Sequence, residues 1–409
     1  MKILLEKIFF FIKTDYYRRK EVLDKSGIYY YLANSSGYVL VIVLLVSSML
    51  VSISTEFLII AQTNINYTKK FSERLKAYSL AKAGVSLSTF ALKVDKMGLA
   101  SGLLSGKSVD RSIDCYEDLW AMRFPELPLE DGSIKIAISD ENSKINLSIL
   151  ANEFVEKTPY YLITQRFFLN MELPMDFADV IIDWIDIDDS RFPYGAESSD
   201  YYLTLSNPYN AKNNQMDSID ELLLLKGITP KIFYGLANDT PGAEENLVDD
   251  NTGINQFDFS LLEDSTPEDI LNRDAETGSD LEDITRKIGK EKSRRLSDYL
   301  RVNGERSDYL KKLNRININT ASYRVLSALT DNMTDDIVTE LISRRIVKPF
   351  KSVNEIKDLI NDETVTKNIL TVKSFLFKIV SIGRVNNTSI KIICIYYRDG
   401  KRFLFWSEQ

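Results

Sequence analysis

The sequence predicts an α+β fold in which a long N-terminal helix packs on a small antiparallel sheet and a large, mainly α-helical domain is inserted into that sheet. Three observations carry this expectation. Ser26 through Thr55 contain no charged residue, and Tyr38 to Ile60 hold one charge, Glu56. Strand-like alternation occurs in two separated places, "GSIKIAISD" from Gly132 and the closing segments "KSFLFKIVSIGRV", "TSIKIICIYYRDG" and "KRFLFWSEQ". Between them helical spacing dominates, and strands do not alternate with helices as an α/β enzyme would require.

The apolar run is long enough for a bilayer core of about 30 Å. It starts straight after Gly37, well inside the chain, whereas a secretory signal would start near Met1 and end in a small-residue cleavage site. The first proline is Pro125, and Phe71, Leu75, Tyr78, Ala81, Val85 and Leu87 keep near-helical spacing beyond the run. One helix is therefore expected over 38–94, a rod of roughly 85 Å, half of it in lipid. Residues 1–36 hold seven Lys and Arg against four Asp and Glu, with Arg18, Arg19 and Lys20 together. The positive-inside tendency then places the N-terminus in the cytoplasm and the globular part outside.

The expected segments are a leader over 1–37, the helix over 38–94, the first part of the β domain over 95–142, the inserted helical domain over 143–370 and closing strands over 371–409. "RDGK" is read as a hairpin turn because Asp-Gly accepts positive φ. "PGAEENLVDDNTG" is read as a loop, and 241–310 is the least patterned part of the chain.

Charge and composition narrow the chemistry. The 409 residues carry a formal charge of -8, but residues 140–310 alone hold 35 Asp and Glu against 16 Lys and Arg. An acidic middle repels nucleic-acid phosphate and suits a solvated surface or a hard cation. The chain has no histidine, which removes Ser-His-Asp and Cys-His nucleophile activation and the imidazole ligands of most zinc sites. Cys115 and Cys394 build no framework. A pair in an oxidising compartment and two buried thiols both stay open, the second favoured.

Asp183, Asp186, Asp188 and Asp189 crowd one short stretch, and Glu197 follows at the end of "PYGAE". With Asp186 at position one, Asp188 at three, Ser190 at five and Glu197 at twelve, the oxygen donors fall at EF-hand spacing, although Arg191 stands where that loop needs glycine. An all-oxygen set favours Ca²⁺ over Zn²⁺. Trp184, Phe192, Tyr194, Tyr201 and Tyr202 interleave the acids and are expected to hold them at a packed surface. The alternative is a solvated acidic loop. A paired-carboxylate glycosidase would need a substrate groove, for which there is no signature.

A glycine, an aromatic residue and a long apolar helix that projects beyond the membrane together resemble the type IV pilin-like proteins. That resemblance implies removal of the leader between Gly37 and Tyr38 by a prepilin peptidase. The leader is long and ends in the uncharged Asn34-Ser35-Ser36, and the fifth mature position, normally glutamate in that superfamily, is Ile42. Asp179 to Leu236 holds an Asp-Trp-x-Asp-x-Asp run, then Gly-Ala-Glu, Tyr-Tyr, Pro-Tyr-x-x-x-Asn and a Glu-Leu…Lys-Gly helix. Arg315 to Leu329 holds Asn-x-Asn-Thr-Ala. These words resemble the K minor pseudopilin family of type II secretion. The resemblance implies calcium in the inserted domain and no enzymatic activity. It also implies an inner-membrane, single-pass protein with its globular part in the periplasm, at the tip of a pseudopilus above the major pseudopilin. The I and J minor pseudopilins are the implied partners, meeting the exposed half of the helix at Leu75, Tyr78 and Val85.

Ile318 to Leu359 also resembles helix-hairpin-helix and SAM-like elements. A membrane-anchored DNA-binding protein of a DNA uptake system is therefore the competing reading. Such modules hold phosphate on backbone N–H groups of a glycine hairpin. Here "LTDNMTDD" has no glycine and three Asp, which argues against nucleic acid and leaves Arg344, Arg345 and Lys348 as a modest basic patch.

Overall fold

The computed structural model describes residues 36–98, 112–122, 124–129, 132–150, 158–235, 295–302 and 312–409, together with Lys13. The expectations for the leader before Ser36 and for most of 241–310 lie outside the described residues. The chain divides into two compact units, Met1–Ser72 and Glu73–Gln409.

Helix α1 runs unbroken over Ser36–Met97, three residues past the expected end. In the first unit its apolar residues from Val39 to Ile60 are exposed, Ile42 among them. Among the described residues it is the one helix long and apolar enough to cross a membrane. Several of its hydroxyls close back onto the helix. Ser54 donates to the Leu50 carbonyl and Thr55 to the Val51 carbonyl, each at 2.8 Å, which pairs these hydroxyls where the surroundings are apolar.

In the second unit, α1 continues as the spine of a five-stranded antiparallel sheet. Its strands are β1 (Leu127–Leu129), β2 (Gly132–Asp140), β7 (Leu376–Val385), β8 (Thr388–Tyr397) and β9 (Arg402–Glu408), in that spatial order. Ile136 pairs with Ser381 and Ile379 with Cys394, which puts Ile134, Ile136, Ile138, Phe377, Ile379, Ile392 and Cys394 on the helix side. There they form a core with Ala77, Ala81, Val85, Leu92 and Trp120. Small residues let the two layers touch. A Cβ on Gly383 would lie 2.1 Å from the Ala77 carbonyl oxygen, and one on Gly84 would lie 2.1 Å from the Ser381 hydroxyl.

The "RDGK" hairpin is present between β8 and β9, but for a different reason from the expected one. Lys401, at φ 50°, takes the left-handed position. Gly400 is needed for space, since a Cβ there would lie 2.4 Å from the Tyr397 ring. Cys115 and Cys394 are buried free thiols, and burial pushes the Cys394 thiol up to about 12.

Between β2 and β7 lies a second, helical core drawn from Ile145 to Leu370. Its helices are α2 (Pro159–Asn170), α3 (Phe177–Ile185), α4 (Pro230–Tyr234), α5 (Tyr323–Ser327) and α6 (Asp335–Val347). Each of α2, α4, α5 and α6 starts on a Thr or Ser whose hydroxyl accepts from a first-turn N–H. Two short parallel pairs tie the chain together: β3 (Ile145–Asn146) on β4 (Leu300–Arg301), and β5 (Ile316–Asn317) on β6 (Leu370–Thr371).

The splice between sheet and insertion is built from buried amides and acids. Asn142, fully buried, donates to the carbonyls of Leu313 (3.0 Å) and Arg315 (2.8 Å). It accepts from the N–H groups of Phe375 (2.9 Å) and Leu376 (3.0 Å) where the chain returns to β7. Asp140 accepts from the Asn142 N–H at 2.7 Å and from the Thr320 and Ser374 hydroxyls. The Asn-x-Asn-Thr-Ala element is thus part of this junction, with Asn317 bonded to Ser374 at 2.7 Å and to the Asp114 carbonyl at 3.0 Å.

Candidate metal centre

Helix α3 buries every one of its residues, so its acids are carried inward with its apolar face. Asp183 lies on the last turn and Asp186 caps the C-terminus, one turn apart on the same side. The chain then loops through "DDSRFPYGAE" and returns Glu197 to them. Asp183, Asp186 and Glu197 each offer an oxygen within 4.8 Å of the others, and Asp183 and Glu197 are 0% and 1% exposed. Gly195 permits this return, because a Cβ there would lie 1.9 Å from Asp183 Oδ2.

An aromatic wall backs the acids. Trp184 meets Tyr202 edge-on at 5.3 Å, Tyr202 meets Tyr201 at 5.2 Å, and the Trp184 indole donates to Glu221 at 3.2 Å. Phe192 is partly buried against the same core, whereas Tyr194 is 64% exposed.

The remaining two predicted ligands are placed differently. Asp188 is exposed and accepts from the Ser190 N–H at 2.7 Å, an Asx turn. Asp189 is exposed and accepts from the Asn213 amide at 2.9 Å. The EF-hand register is therefore not reproduced: its first and twelfth positions converge, but the third turns to the backbone, and Asp183 takes part from outside that loop.

The convergent oxygens suit a hard cation. Asp183 Oδ2, both Glu197 carboxylate oxygens and Asn213 Oδ1 are buried with no hydrogen-bond donor among the described residues, and a buried acceptor left bare is costly. Burial, reinforced by the charges of Asp183, Asp186 and Asp189, pushes Glu197 up to about 8. Burial, with Asp179 and Asp200 nearby, pushes Asp183 up to about 6. Like charges this close are relieved either by protons or by a multivalent cation. The three carboxylates fit Ca²⁺, an all-oxygen set, and the bare Asn213 amide oxygen beside Asp189 is a further oxygen donor in the same loop region. Asn213 is the residue that sequence reasoning missed. It closes the Pro-Tyr-x-x-x-Asn element at φ 46°, and its position next to Asp189 is a tertiary fact.

The partner-helix residues separate into two groups. Leu75 is 56% exposed. Tyr78 is half-buried and donates to Glu408 at 3.2 Å. Val85 is 3% exposed in the chain's own sheet core, so its surface is not available to another helix. The exposed apolar stripe of this half runs instead through Leu75, Leu87 and Phe90.

The two arginines of the basic patch near α6 are spent internally, and Lys348 stays exposed. Arg344 bridges Glu340 and Asp358, each at 2.7 Å. Arg345 donates to the carbonyls of Ile318 and Ala321. With Asp331, Asp335 and Asp336 on or before α6, the segment offers phosphate more repulsion than attraction.

Two family models, both described as type II secretion system protein K, match residues 143–238 and 316–373. The type II secretion system protein K of Aeromonas hydrophila is 26% identical over 215 residues, covering 49% of this chain and 61% of that protein. The putative type II secretion system protein K of Escherichia coli K12 is 26% identical over 210 residues, covering 49% and 60%. The matched region thus spans about three-fifths of the length of these relatives. The crystal structure of the GspK-GspI-GspJ complex from enterotoxigenic Escherichia coli shares the fold at a TM-score of 0.50 and 16% identity, covering 84% of this chain and 99% of that one. Both helical blocks of the insertion thus carry patterns matched by the type II secretion system protein K models.

Proposed function

We propose that the protein is a minor pseudopilin at the tip of the type II secretion pseudopilus, where it initiates assembly with the I and J minor pseudopilins for export across the outer membrane. It is an assembly component rather than an enzyme. The observation that carries this reading is the double use of α1: Ala77, Ala81, Val85 and Leu92 pack on the sheet, while Leu75, Leu87 and Phe90 stay exposed. A helix with a second apolar face suits a bundle of helices. Ile42 removes the buried glutamate that a subunit placed below another would need, and an inserted domain of this size suits a single copy at an end. The solved GspK-GspI-GspJ complex supports I and J as the partners.

Anchoring is in the inner membrane through the first half of α1, with the globular part in the periplasm, after a prepilin peptidase cuts between Gly37 and Tyr38. N-terminal mass spectrometry of membrane-extracted protein tests the cut, and an intact leader on functional protein would refute it. The cluster of Asp183, Asp186, Glu197 and Asn213 binds calcium and fixes the inserted domain.

Leu87→Asp or Phe90→Asp should weaken co-purification with the I and J pseudopilins about tenfold or more while the chain stays folded, because each places a charge on the exposed stripe. Val85→Asp should unfold the sheet core instead. Unchanged capture by both surface variants would remove the helix face as the partner surface.

A further inference from the structure

Away from the acidic loop, the last turns of α1 meet a second group of buried acids. Asp95, Asp114 and Asp118 are 4%, 3% and 3% exposed, and each offers an oxygen within 4.8 Å of the others. One guanidinium serves two of them. Arg398, in the β8–β9 turn, gives Asp114 two bonds at 2.7 and 2.8 Å, lies 3.7 Å from Asp95 and donates to the Ser374 carbonyl at 2.7 Å. The Phe377 ring packs against its other side at 4.8 Å.

Among the described residues, Asp118 receives neutral donors alone: the Cys115 N–H at 2.8 Å, the Trp120 indole at 3.1 Å and the weak Cys115 thiol. The nearby cations are committed elsewhere, Lys96 and Lys312 both to Asp399 on the solvent side. Glu117 adds a negative charge to the segment. Asp140, on the far side of Ser374, is occupied by Thr320 and Asn142. Among the described residues, three carboxylates therefore share a buried site with one guanidinium, which reaches two of them.

We propose that this cluster is a proton-dependent latch: Asp118 carries a proton at neutral pH, which lets the 112–122 segment close on the end of α1, and loss of that proton in alkali loosens the closure. The closure itself is visible as the Leu119 N–H bonded to Asp95 at 3.2 Å and Trp120 packed on Phe377 at 5.2 Å. Burial first, then the charges of Asp95 and Asp114, push Asp118 up to about 8. The folded form therefore keeps a proton that the unfolded chain has already released. The stabilisation is complete below the ordinary carboxylate range and is lost as pH rises through about 8.

The test is hydrogen exchange by mass spectrometry on the full chain in detergent micelles with saturating calcium, between pH 6.5 and 9, corrected for intrinsic exchange. Peptides covering 112–122 and the end of α1 should lose protection by about tenfold in the wild type. Asp118→Asn, which keeps an acceptor for the indole but cannot ionise, should stay flat. Asp95→Asn, which removes the nearest like charge, should shrink the drop and carries the comparison if Asp118→Asn fails to fold. A flat wild-type profile, or the same loss in wild type and variants, overturns the latch.

Discussion

Gly383→Leu should destabilise the unit that begins at Glu73 by about 4 kcal/mol, the upper range for a single substitution. The reason is where the new carbon would go. It would lie 2.1 Å from the Ala77 carbonyl oxygen and 2.6 Å from the Ala81 nitrogen, both backbone atoms of α1, so no side-chain rotation relieves the clash. The helix must lift off the sheet and open the core around Ile136, Ile379 and Cys394. Gly84→Leu meets the Ser381 hydroxyl and the Ile134 methyl first, and these side chains can shift, so its cost should be smaller. Denaturant unfolding of the full chain in micelles measures both, with exchange protection in β7 and β8 compared with that in α3. Equal, small losses for the two variants would mean that helix and sheet are not in close contact.

The parts of this fold that repeat were legible in the sequence. The apolar run and the helical spacing of Ala81 and Val85 gave α1, and alternation gave β2, β7, β8 and β9. The parallel pairs β3 on β4 and β5 on β6 were not legible, because two-residue strands have no period. Spacing showed that Val85 is apolar on a helix, but not that its face is already buried in the sheet core that holds Ile134 and Ile392.

At the acidic site, density of charge located Asp183, Asp186 and Glu197, yet density carries no direction. Asp188 turns to the Ser190 N–H, while Asn213 reaches Asp189 from a distant loop. The fate of the basic patch was hidden for a related reason, since the partners that consume Arg344 and Arg345 include Asp358 and the carbonyls of Ile318 and Ala321, contacts that only the folded chain makes.

Chelation should lower the melting temperature of the full chain in micelles, and the gap between calcium-loaded and chelated protein should widen from pH 6 to pH 8.5. At a hundredfold excess over Kd, binding to the folded state alone contributes about 2.7 kcal/mol. For a unit of this size that is a shift of about 5 °C. The pH dependence follows from the protons that stand in for the ion. Without calcium, Glu197 is pushed up to about 8 and Asp183 up to about 6, so the folded chain holds protons that the unfolded chain has released. Metal-free stability is then lost as pH rises through those values, whereas the loaded site has already exchanged its protons for the cation. Comparing the two forms at each pH cancels titrations elsewhere, including that of Asp118. Glu197→Gln should remove most of the widening, because the group that holds the higher proton is gone. Asn213→Ala should weaken calcium binding without changing the pH trend, since an amide does not titrate. Melting curves that are indifferent to chelator at both pH values, together with no calcium by elemental analysis, would leave the cluster as a proton-sharing acidic turn with no metal role.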